Sequence, residues 1–220
     1  MDVRKSINQF LNGQDKNKGR LPNERYASFD YCYNYFYLFY KEDKLSKLSN
    51  DGNLQISCLQ LGFYLASWGM MRGSSFLLEK SVKNYTNLII AISKMDRKLW
   101  EIDVDNYTEE NINLLLDCKQ RIIEALGKEK ENNPSDTLVT KIMLGVFANI
   151  PAFDQRVKKS LKVYSVSKKS LLKIKEFYER NKSIFDSFEI HTFDFLSSKE
   201  TNILYPKAKL IDMCCFIDGQ

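Results

Sequence analysis

An all-α fold, an irregular multi-helix bundle of about eight to ten helices forming one domain over residues 1–220, follows from three features of the sequence. Apolar residues recur at three- and four-residue spacing along most of the chain, while period-two alternation is confined to a short stretch, residues 188–195. With 44% hydrophobic residues, only 9 Gly and 4 Pro, and nearly balanced charges, the chain has enough to bury and little reason to stay disordered.

Residues 2–11 make a short helix, followed by a polar loop over residues 12–19 that holds two glycines. Ser28 then precedes Tyr31, Tyr35, Leu38 and Phe39 on one helical face, with Tyr33, Phe36, Tyr37 and Tyr40 making the other faces aromatic. A helix aromatic on most sides is expected to be buried. After a turn at residues 50–53, Leu54, Cys58, Leu61 and Leu65 repeat at helical spacing up to Trp68, a second core helix. Gly69 and Gly73 bracket Met70-Met71-Arg72 and place a break there, because each glycine weakens a helix by about 1 kcal/mol relative to alanine. Ser74 or Ser75 caps a short helix through Phe76, Leu77 and Leu78, and an apolar run covers residues 85–95.

Thr108 followed by Glu109 and Glu110 starts a long helix. The hydroxyl accepts an orphan N–H, the carboxylates favour the positive end of the dipole, and Gly127 ends the run. The very hydrophilic residues 128–134 are the expected boundary between two subdomains. Ser135 or Asp136 caps a helix to about Ala148, Pro151 opens a segment containing Phe153, Val157 and Leu161, and Ser165 or Ser167 opens an amphipathic helix to about Arg180. A last helix follows Pro206 through Cys214 and Cys215. The expected core includes Tyr35, Phe39, Leu61, Leu65, Leu115 and Ile142.

Lys and Arg number 33 against 28 acids, a net charge of +5, and the excess is concentrated between Arg156 and Lys175. Lys168, Lys169 and Lys173 lie on the polar side of the amphipathic helix, either as a solvated face or as a surface for an acidic partner, nucleic acid first among them. The five cysteines form no Cys-x-x-Cys pair and sit among apolar residues, which points to buried free thiols. With no signal-peptide pattern at the start, the expected setting is cytoplasmic. No apolar run reaches the roughly 18 residues of a membrane-spanning helix, so no membrane partner is expected. No metal-ligand spacing and no cofactor motif is present, and the one histidine, His191, lies among Phe188, Ile190, Phe193 and Phe195 as a packed residue.

Two segments are candidates for chemistry. In the run from Ser67 to Ser75, the glycines allow close backbone approach, amides near Gly73 face an anion at a helix start, Arg72 pairs with it and Trp68 offers a stacking face. A helix crossing that needs small residues explains the same run. This segment, Ser-Trp-Gly-Met-x-Arg-Gly preceded by Tyr26-Ala-Ser-Phe-Asp30 and Cys32-Tyr33, resembles a family of uncharacterised bacterial helical proteins. The resemblance implies kinship of fold and brings Trp68, Arg72, Arg25 and Asp30 forward as one group.

The second segment is Thr140-Lys141 followed by Ile150-Pro151-Ala152-Phe153-Asp154 and Val157. It resembles the lysine helix and Pro-x-x-Asp-x-x-Val end of helix-hairpin-helix DNA glycosylases. The glycine-rich hairpin that precedes the lysine in that family is replaced here by Asn132-Asn-Pro-Ser-Asp136, and the interval from lysine to aspartate is shorter. By the resemblance, Lys141 is a nucleophile toward a sugar and Asp154 its acid-base or electrostatic partner. Structurally, Asp154 caps the following helix or pairs with Lys141. The favoured function is a binding module for an acidic partner such as nucleic acid. The alternative is a degenerate glycosylase or lyase built on Lys141 and Asp154.

Overall fold

The computed structural model describes residues 1–14, 18–73, 75–127 and 134–219. Ten α-helices are described: α1 (Val3–Asn12), α2 (Ser28–Lys41), α3 (Asp51–Ser67), α4 (Thr86–Ile92), α5 (Glu109–Leu126), α6 (Asp136–Phe147), α7 (Gln155–Leu161), α8 (Lys168–Arg180), α9 (Lys182–Phe185) and α10 (Lys207–Asp218). A small antiparallel hairpin of β1 (His191–Phe193) and β2 (Glu200–Leu204) completes the chain. The fold is all-α in class. No helix among the described residues is long and apolar enough to cross a membrane.

Most helix starts follow their local chemistry. Asp2 caps α1, Thr108 caps α5, Ser135 caps α6, Asp154 caps α7 and Ser167 caps α8, each side chain accepting a backbone N–H from the first turn. Asp103 does this at long range, its carboxylate accepting from Lys207 N and Ala208 N at the start of α10. Two helices carry the centre. In α6 every residue from Leu138 to Phe147 is buried, and in α10 every residue from Ala208 to Ile217. Each large apolar side chain sealed this way contributes about 1.5–3 kcal/mol. Around them α1 packs on α10, α2 on α3 and α6, and α7 on α10.

Some expectations change. Leu61, Leu65, Leu115 and Ile142 are fully buried, but Tyr35 and Phe39 are only half-buried, because the aromatic surplus of α2 runs out toward the surface, and Tyr35 Oη bonds the buried Ser57 Oγ. The segment after Gly73 is a four-residue 3₁₀ turn (Phe76–Glu79) capped by Ser75, too short to be an anion-binding helix start. Residues 128–133, most of the expected boundary, and Ser74 lie outside the described residues. Strand β2 was not foreseen, since Glu200-Thr-Asn-Ile-Leu204 is mostly polar and half exposed. All five cysteines are buried and unpaired.

Candidate functional site

Lys141 and Asp154 meet. Their Nζ and Oδ2 are 3.2 Å apart, between the middle of α6 and the cap of α7. The lysine side chain is 4% exposed and the carboxylate 22%, so Asp154 is the solvent-side member of the pair. Three bonds fix the loop that carries it. Phe153 N donates to Thr140 Oγ1 at 2.7 Å, Thr137 Oγ1 donates to Phe153 O at 2.8 Å, and Ala152 N donates to Asp212 Oδ1 of α10 at 3.1 Å. Asp154 Oδ1 meanwhile accepts from Arg156 N and Val157 N. Capping and ion pairing thus coexist, one on each carboxylate oxygen.

Trp68, at the end of α3, lies over this pair, with Lys141 Nζ 5.0 Å from its ring centre. Tyr26 stacks on the same indole at 5.9 Å and Phe10 on Tyr26 at 4.2 Å, with Phe216 meeting all three edge-on. The indole Nε1 is buried and has no acceptor among the described residues. Two arginines stand at the outer side of this aromatic group. Arg25 lies 5.5 Å from the Trp68 ring centre, and Arg156 lies 3.9 Å from that of Phe216.

Sequence reading missed a second lysine. Lys209 of α10 is 1% exposed, 3.4 Å from Asp212, and 5.1 Å from the same Trp68 ring centre. Phe29 and Phe10 enclose it further, at 4.5 and 5.2 Å. Burial holds its amine below the ordinary lysine range, with Asp212 opposing that and Lys141 adding to it. Behind the pairs, burial pushes the Tyr64 phenol of α3 up, helped by Asp212 and by the more weakly coupled Asp154.

The other expected site residues lie elsewhere or act otherwise. Arg25 and Trp68 are together, but Arg72 is exposed, its guanidinium folded over Gly69. Asp30 is fully buried in a separate cluster. It accepts from Arg20 at 2.6 Å, from the Tyr205 hydroxyl and from Phe193 N, which ties α2 to the hairpin. His191, half-buried in β1, gives its carbonyl to Arg20. Lys168, Lys169 and Lys173 are exposed on α8, Lys168 paired with Glu109 and Lys173 donating to Lys162 O. Among the described residues no group of three or more His, Cys, Asp or Glu is placed to hold a metal ion. No family model, curated protein or solved structure matches the chain.

Proposed function

We propose that the chain is an enzyme that acts on nucleic acid by amine chemistry, in the manner of a glycosylase or lyase. The observation that carries this reading is the contact between Lys141 Nζ and Asp154 Oδ2 beneath the Trp68 indole. A lysine that attacks C1′ of a nucleotide needs an unprotonated nitrogen, a nearby carboxylate to balance the positive charge that develops on the sugar, and an aromatic face for the extruded base. A lysine, a carboxylate and an indole converge here, and Arg25 and Arg156 at the outer side suit the flanking phosphates. Asp154, 22% exposed, is the member of the pair nearer to solvent.

An oligonucleotide duplex with one abasic site tests the reading. The wild type is expected to cut the strand at that site, and Asp154→Asn to bind the duplex while cutting it more slowly. A wild type that never cuts removes the reading. Binding without chemistry is the second reading, favoured by the exposed lysines of α8, and a salt-dependent affinity lost in the Lys168, Lys169 and Lys173 to Glu variant supports it. A cytoplasmic setting fits either, given five buried thiols with no disulfide.

A further inference from the structure

A cleft of about 560 Å³ shares no residue with the Lys141 site. Its volume falls within the range of small-molecule sites, about 300–1,000 Å³. Tyr33, Tyr37 and Lys41 recur every four residues, on one face of α2, and all three line it. Trp100 joins them from a 3₁₀ turn (Arg97–Trp100), Phe147 from the end of α6 and Tyr205 from the residue after β2. Tyr33, Trp100, Phe147 and Tyr205 are buried, while Lys41 is exposed, as are two further lining residues, Leu38 and Leu204. The cleft therefore has an aromatic floor and an apolar mouth that carries a lysine.

The polar groups of the lining divide by what they still lack. The Asp103 carboxylate accepts from Val104 N, Lys207 N and Ala208 N, and the Glu101 carboxylate accepts from the Tyr40 hydroxyl. Lys207 Nζ lies 3.3 Å from Asp105 Oδ2. The Tyr33 and Tyr37 hydroxyls can give or take a hydrogen bond and favour neither sign of ligand. Two donors are left over: among the described residues the buried Trp100 indole N–H has no acceptor and the Lys41 ammonium has no ion-pair partner. A buried donor without an acceptor is destabilising, and a bound acceptor relieves it. We propose that this cleft binds a small, flat aromatic carboxylate, its ring packed among the floor rings and its acceptor oxygens meeting the donors the chain leaves free. Aromatic faces also attract an organic cation. Such a ligand would meet an unpaired lysine at the mouth and leave the indole N–H without an acceptor. The assignment does not depend on any chemistry at Lys141.

The chain has two tryptophans, so its ¹H–¹⁵N spectrum holds two indole signals, and Trp100→Phe tells them apart. If that variant does not fold, Overhauser contacts between the Trp100 and Phe147 rings, 4.4 Å apart, assign the signal instead. With 2-naphthoate as the probe, the Trp100 signal is expected to shift and to saturate below about 1 mM, while the Trp68 signal stays in place. Its neutral analogue 2-naphthamide is expected to bind the wild type about threefold more weakly, and the cation trimethyl(2-naphthylmethyl)ammonium more weakly still. Lys41→Met changes an exposed side chain and leaves the floor intact. It is expected to weaken 2-naphthoate about threefold and to leave 2-naphthamide unchanged. A Trp100 signal that does not move, or that moves only together with Trp68, overturns the proposal. So does an amide or a cation that binds as tightly as the acid, or a Lys41→Met chain that holds the acid as the wild type does.

Discussion

Gly145 of α6 makes room for the Tyr64 ring of α3. A Cβ at position 145 would collide with Cε1 of that ring and come within 2.7 Å of Cδ1. The ring is fully buried and lies in the electrostatic reach of Asp212 and Asp154. Gly145→Ala is expected to lower stability by about 2–3 kcal/mol through overpacking, although alanine is the better helix former. Urea unfolding measures it, and an unchanged midpoint would show that the ring has space to move.

The Lys141–Asp154 pair is expected to respond unequally to loss of its two members. Asp154→Asn keeps a good helix cap but leaves a buried ammonium without its counter-ion, at a cost of about 2–3 kcal/mol. Lys141→Met removes the buried charge and leaves a partly solvated carboxylate that still caps α7, at a cost of about 1 kcal/mol or less. Equal losses in the two variants would mean that the ion pair is not where the energy lies.

Lys209 makes stability depend on alkaline pH. In the fold its amine titrates below the ordinary value of 10.5, so between the lowered value and 10.5 the unfolded chain binds more protons. Stability therefore rises with pH through that window and is lowest below it. Lys209→Met loses this slope, so the wild type is expected to gain on the variant as pH approaches 10.5. Parallel stability curves from neutral to alkaline pH would place the Lys209 amine in the ordinary range.

The exposed lysines of α8 extend the positive surface from Arg156, since α7 and α8 pack side by side. Changing Lys168, Lys169 and Lys173 to Glu is expected to leave the circular dichroism spectrum intact, to weaken duplex binding, and to flatten its salt dependence by up to about three phosphate contacts. An unchanged salt slope would place the nucleic-acid path on another face.

What the sequence made legible was local. Thr108, Ser135 and Ser167 announce their helices because a cap and its N–H lie within three residues, and Lys141 and Asp154 stood out through a resemblance carried by the short stretch from Thr140 to Val157. Lys209 did not, since its meaning comes from Trp68, Phe10 and Phe29, all far away in the chain. Asp30 was read as a site residue for the same reason, its Arg20 partner and its Tyr205 and Phe193 donors being visible only once the hairpin folds onto α2. Gly145 inside α6 carried no signal in the sequence, because the Tyr64 ring that fills the space beside it comes from α3, far away in the chain.

Covalent trapping tests the role of Lys141 most directly. With a duplex containing one abasic site and borohydride present, the wild type is expected to form a stable adduct that peptide mass mapping places on Lys141, and Lys141→Met is expected to form none. No adduct with the wild type, or an adduct of equal yield in Lys141→Met, would contradict it.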